Sequence, residues 1–154
     1  MKKFFVLLGL LLFFVTPVFS ATWIQLGDKL YIDKDSISTY IDDYDSSKTE
    51  QKTFWIKQLN NGNYNFKKLE KTFNKKVWYV MYQWIVNTKN NTQSIKTTVC
   101  YDLKNGVIDY YTIPDFMLTW NRIVPDTLGE LLYNLISDKN LLEKIYEAQL
   151  EKEK

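Results

Sequence analysis

The chain contains no histidine, one cysteine (Cys100) and one arginine (Arg122) among its 154 residues. Without histidine there is no side chain whose ordinary pKa suits general-base work at neutral pH. The commonest zinc ligand and every Ser-His or Cys-His nucleophile pair are also missing. A lone cysteine excludes an intramolecular disulfide, the usual support of small exported domains. Cys100 is then either a small buried residue on a strand, or a thiol that is reactive or pairs between chains. A single arginine among scattered lysines lacks the concentrated basic face of a nucleic-acid binder, so no nucleic-acid partner is expected. The five glycines are dispersed and form no phosphate-cradling loop. Asp42, Asp43 and Asp45 lie close together but lack the spacing and turn glycine of a calcium loop, so they read as a solvated acidic cluster. No metal, no cofactor and no catalytic residue is expected, and the chain reads as a non-enzyme.

At the N-terminus, Lys2 and Lys3 precede an unbroken apolar run from Phe4 to Val15, then Pro17, Val18 and Ser20. This is the layout of a secretory signal peptide with cleavage after Ser20. The run is too short for a transmembrane helix, which needs roughly 20 apolar residues. The expectation is an exported chain, in the periplasm, at the cell surface or secreted, with no membrane span in its mature part. Without Lys2 and Lys3 the remainder balances 18 basic against 18 acidic residues, so the apparent basic character belongs to the leader.

Residues 21–154 suffice for one core, and aromatics are plentiful: five Trp and eleven Tyr. Trp23 to Leu26 and Lys29 to Asp33 read as strands parted by Gly27-Asp28, with a turn or a single helical turn over Asp33 to Ser38. Asp42 to Lys52 reads as an exposed loop. Thr53 to Leu59 alternates, Phe54 and Ile56 against Trp55, and Asn60 to Asn63 turns the chain. Lys67 to Lys76 is lysine-rich and has no assigned state. Val77 to Asn87 is the strongest strand, with Trp78, Val80, Tyr82, Trp84 and Val86 on one face and Val77, Tyr79, Met81 and Ile85 on the other. Both faces are apolar, so the strand is central and covered twice, or lends a face to a partner. Ile95 to Asp102 and Val107 to Ile113 form a hairpin around Asn105-Gly106, Ile95, Thr97, Val99 and Tyr101 alternating with Lys96, Thr98, Cys100 and Asp102. Thr127 and Glu130 make a capping box ahead of a helical stripe of Leu128, Leu131, Leu132, Leu135 and Ile136. Ser137-Asp138 offers a cap for a second amphipathic helix carrying Leu141, Leu142, Ile145 and Leu150, whose end from Gln149 onward is expected to fray. Strands first and helices last predict an α+β fold: a meandering antiparallel sheet of about six strands with C-terminal helices packed on it.

Two features remain as candidate binding residues. Trp55, Trp78, Trp84, Tyr110 and Tyr111 either pack the core or form a contact face, since Tyr and Trp supply rigid contact area. Trp120 and Arg122 either pin the following helix or act as a stacked recognition pair.

The Trp23 and Tyr31-Ile32-Asp33 strands with Asp35-Ser36-Ile37, the Phe54-Trp55-Ile56-Lys57 strand, Tyr101-Asp102, and Trp120 through Pro125-Asp126-Thr127 to Glu130 resemble the bacterial surface-adhesin protein E-like family. The resemblance runs from about Trp23 to Leu135. It implies a sheet of roughly six antiparallel strands crossed by a C-terminal helix, and binding of host matrix and serum proteins, sometimes by dimers. It also implies a cysteine pair tying the helix end to the sheet, which this chain lacks. The expected organisation is a signal peptide over 1–20, a protein E-like domain over 21–137 and an amphipathic helical extension over 138–154. The expected role is a binding module contacting a protein partner or a second copy of itself. The alternative is an accessory domain that binds a small apolar ligand or lipid between sheet and helix, in a closed cavity lined by Trp78, Trp84 and Leu132.

Overall fold

A computed structural model describes residues 21–41 and 51–152. The segment read as a signal peptide and the cluster of Asp42, Asp43 and Asp45 lie outside the described residues. Eight strands are described: β1 Trp23–Gly27, β2 Leu30–Asp33, β3 Ser38–Tyr40, β4 Gln51–Leu59, β5 Val77–Asn87, β6 Thr92–Asp102, β7 Val107–Thr112 and β8 Asn121–Arg122. The three α-helices are α1 Tyr64–Phe73, α2 Leu128–Ser137 and α3 Lys139–Lys152. The main path of the antiparallel sheet is β1-β2-β4-β5-β6-β7, with β3 added beside β4 and β8 beside β6. The expected α+β meander with C-terminal helices is the fold the chain adopts.

One face of the sheet carries the core in two parts. Ile24, Ile32, Phe54, Ile56 and Val86 pack against Leu132, Leu135 and Ile136 of α2 and Leu142 of α3. At the other end Val77, Val80 and Cys100 pack against Phe66 of α1, with Leu69, Phe73, Tyr82 and Ile108 around them. Phe66, Leu69 and Phe73 recur at helical spacing, so the lysine-rich stretch left unassigned from sequence is an amphipathic helix. Asn63 starts it by accepting from the Phe66 N–H at 3.1 Å, and Asn74 ends it in the left-handed region at φ 50°.

Four bulges interrupt strict alternation. An extra residue on one strand leaves two neighbours facing the same way opposite one partner. Trp78 is extra between the pairs Val77–Asp102 and Tyr79–Tyr101, and Lys96 between Gln83–Thr97 and Trp84–Ile95. Leu26 is extra on β1 and Ile108 on β7. The first bulge reverses the expected faces of Val77 and Trp78: Val77 enters the core under α1, and Trp78 joins Tyr79 on the opposite face. The second corrects β6, since Lys96 shares a face with Thr97 instead of opposing it.

Other expectations are corrected locally. Gln51 and Lys52 are strand rather than loop, because they pair with Tyr40 and Val86, and Gln51 is buried. The capping box is displaced: the Thr127 hydroxyl donates to the Val124 carbonyl, while the Glu130 carboxylate accepts from the Asp126 N–H at 2.9 Å. Asp126 sits at φ 58°, which presents its own N–H to Glu130. Leu128 and Leu131 keep over a third of their surface in solvent, so the buried α2 stripe narrows to Leu132, Leu135 and Ile136. The end of α3 does not fray at Gln149. Its amide accepts from the Gln25 N–H at 3.1 Å and donates to the Gln25 carbonyl, so it covers backbone groups at the β1 edge. Lys34 pairs with Glu143 at 2.9 Å and lies 4.8 Å from the Tyr146 ring centre, a second tie between α3 and the sheet.

Candidate contact face

The sheet face away from both core clusters is built by cross-strand rows. Tyr31, Lys57, Met81, Val99 and Tyr110 are successive partners from β2 to β7, and Leu59, Tyr79, Tyr101 and Val107 form the next row. Period-2 geometry keeps each row on one face. The bulge then adds a ring that alternation would have sent inward. Trp78 meets Tyr79 edge to face, with centroids 5.4 Å apart, and Tyr79 stacks on Tyr101 at 4.5 Å. Trp23, Lys57, Leu59, Trp78, Tyr79, Met81 and Asn105 line a shallow hollow of about 180 Å³ on this face.

Lys57 is the charged centre of the hollow. Its ammonium lies 4.1 Å from the Trp23 ring centre and 5.3 Å from that of Tyr31, so both π-faces partly replace its water. Burial lowers its pKa, against the opposing pull of Asp33. Burial likewise raises the Tyr79 phenol, with Tyr101 adding to the shift. The Tyr79 hydroxyl donates to Asn105 Oδ1 at 3.3 Å, tying the rings to the β6–β7 turn.

The far end of the same face is closed. Lys96, turned onto it by its bulge, crosses β5 and β4 to the Tyr40 hydroxyl at 2.9 Å and pairs with Asp115. Thr53, Ile85 and Ser94 on this end are buried. Burial pushes the Tyr40 phenol up to about 12, helped by its bond to Asp115. Burial by itself would lower the Lys96 ammonium, but its bonds to Asp115 and Tyr40 outweigh that and raise it. Asp115 is held below the ordinary carboxylate range: burial opposes, and the bonds from Lys96 and Tyr40 prevail.

The residues nominated from sequence do not gather at one place. Trp55 lies on the open face, partly exposed, and Trp78 is there with 39% of its surface in solvent. Trp84 is on the covered face against the α2 cluster, and its buried Nε1 has no hydrogen-bond partner among the described residues. Tyr110 and Tyr111 are 64% and 56% exposed but point to opposite faces, since Tyr110 pairs with Val99 and Tyr111 with Thr98. Trp120 is partly buried ahead of β8, and Arg122 is exposed where it pairs with Thr92. No cation–π contact joins Trp120 and Arg122 among the described residues; those present are made by lysines. Trp78 and Leu132 flank opposite sides of the sheet, so the expected cavity between Trp78, Trp84 and Leu132 cannot form. Cys100 is a buried free thiol, pushed up to about 11 by burial and then by Asp109. Trp23, Tyr31, Lys57, Tyr79 and Tyr101 were not nominated from sequence. Tyr31 and Lys57 could have been found by pairing the expected strands; nothing local distinguishes Tyr79 from a core residue.

No protein-family model and no curated protein matches the sequence. Among solved structures, protein E from non-typeable Haemophilus influenzae matches 90% of this chain and 95% of its own, with TM-score 0.52 and 16% identity. Two further structures of Haemophilus influenzae protein E, one of them crystal form II, match 79% of this chain at 19% identity. They are covered over 93% and 89% of their own length, with TM-scores of 0.46 and 0.47. In fold, this chain is protein E-like.

Proposed function

We propose that this chain is an exported, non-enzymatic binding module of adhesin type, which engages a protein partner through the open face of its sheet. The observation that carries the reading is the Trp78 bulge. It places a bulky, partly exposed ring beside Tyr79 and Tyr101, on a face outside both helix-covered clusters. Rigid aromatics around a partly desolvated cation form the kind of anchor that dominates protein interfaces. In this reading residues 21–137 are the binding domain, and helix α3 of the extension ties the helical layer to the sheet. Leu142, the Lys34–Glu143 pair and the Gln149–Gln25 bonds supply that tie.

The test is binding of the chain from Ala21 onward to immobilised matrix and serum proteins at micromolar concentration. The double substitution Trp78→Ser, Tyr101→Ser is expected to weaken binding at least about tenfold. Tyr111→Ser, on the other face, leaves it unchanged. Absence of any binding, or an equal loss with Tyr111→Ser, refutes the reading.

A further inference from the structure

The lysines that look scattered in sequence are brought together on the outer side of α1. At about 100° per residue, Lys67, Lys68 and Lys71 all fall within about 60° of Tyr64, opposite the buried Phe66, Leu69 and Phe73. Beyond the helix, Lys75 and Lys76 share a hollow with Leu103 and Lys104 of the β6–β7 turn.

The acids in this region are already engaged. Glu70 accepts from Asn60 Nδ2 and the Val77 N–H and pairs with Lys76 at 3.2 Å. Asp102 lines the same hollow and accepts from the Lys104 and Gly106 N–H groups at 2.8 Å; those bonds, with the attraction of Lys75 and Lys104, hold its carboxyl below the ordinary range. Lys67, Lys68, Lys71, Lys75 and Lys104 have no ion pair among the described residues. Residues 21–154 balance 18 basic against 18 acidic groups, whereas here Lys67, Lys68, Lys71, Lys75, Lys76 and Lys104 face only Glu70 and Asp102, a local excess of positive charge.

Two exposed apolar side chains bracket the patch, Tyr64 at 77% and Leu103 at 65% of their surface in solvent. We propose that this face docks on an anionic lipid surface, with α1 lying in the interface plane, its lysines at the headgroups and Tyr64 and Leu103 dipping below them. A helix with lysines on one side and flanking interfacial apolar groups suits such a surface. A soluble polyanion would use the lysines and leave Tyr64 and Leu103 without a role. This face is separate from the aromatic face proposed above, and the two can succeed or fail independently.

The experiment is co-sedimentation of the chain from Ala21 onward with phosphatidylcholine vesicles containing one-third phosphatidylglycerol. Starting at Ala21 keeps every described element and removes the apolar run Phe4–Val15, which would bind vesicles itself. Binding is expected, weakening as salt rises. Each lysine near the surface is worth about fivefold, so Lys67→Gln with Lys71→Gln weakens binding about twenty-fivefold. Leu103→Ser weakens it about tenfold. All three positions are exposed, so the circular dichroism melt is expected to stay in place. Equal binding to pure phosphatidylcholine, no binding to the anionic vesicles, or indifference to the lysine changes overturns the proposal. Retention on heparin resin without vesicle binding also overturns it and makes the partner a sulfated polysaccharide.

Discussion

Phe66→Ala separates the two halves of the core, and Cys100 reports the result. Phe66 is almost fully buried and is the main side chain by which α1 covers Val77, Val80 and Cys100. Truncating a buried Phe to Ala costs about 3–5 kcal/mol. None of the residues of this cluster belongs to the one under α2 and α3, so the cost falls first on the docking of α1. Local opening then becomes easier by the same free energy, on the order of a hundredfold or more in population. In the closed form Cys100 is buried, and a thiol pushed from 9.0 to about 11 holds about one hundredth of the usual thiolate at pH 8. Labelling by a disulfide reagent in native buffer should therefore accelerate by on the order of a hundredfold in Phe66→Ala. Leu132→Ala is the control, since Leu132 is fully buried in the other cluster and a similar truncation costs about 2–5 kcal/mol. It should lower the melting temperature with a much smaller gain in labelling. If Phe66→Ala melts earlier with unchanged labelling, α1 is not the cover of Cys100. If both variants label equally fast, the two clusters open as one unit and the separation is wrong.

Two further outcomes follow from the ties between elements. Asp115→Asn should cost about 1–2 kcal/mol at pH 7 through its charged hydrogen bonds to Lys96 and Tyr40. Because the folded pKa of Asp115 is depressed, that stability is present above the ordinary 3.8 and lost as pH falls through the folded value. Urea unfolding should find a smaller penalty at pH 3, and an equal penalty at both pH values refutes the pairing. Gln149→Ala removes both bonds to Gln25 and should cost about 0.5–1.5 kcal/mol. It also uncovers backbone groups on edge strand β1, so sedimentation should show concentration-dependent association; an unchanged monomer refutes the edge-covering role.

Much of the fold was legible because its signals are local. Apolar residues two apart marked β4 and β5, and Asn105-Gly106 marked the β6–β7 hairpin. In that hairpin Asn105 takes the left-handed position at φ 62°, and the Asp102 carboxylate binds the turn N–H groups. Of the expected Ser137-Asp138 cap, Asp138 is the residue that serves α3, accepting from the Asn140 N–H at 2.9 Å. The helix at Tyr64–Phe73 was equally present in the spacing of Phe66, Leu69 and Phe73, but the lysines between them obscured it. The contact face was much less legible. Trp78 was assigned to the right strand and the wrong side, while Tyr79 and Tyr101 were passed over.

Composition and short-range pattern by themselves determined that this is an α+β chain without histidine chemistry or an internal disulfide, rich in aromatic strands and ending in helices. Local steric preference and hydrophobic period carry that information in every few residues. Only tertiary structure decided which side each ring takes and which lysines stand together. A bulge is set by pairing between strands, and its extra residue looks like any other within its own strand. Register between β5 and β6 turned Val77 inward and Trp78 outward. The turn that follows α1 brought Lys75 and Lys76 beside Lys104. Both surfaces depend on such long-range pairing, where strict alternation along a single strand no longer holds.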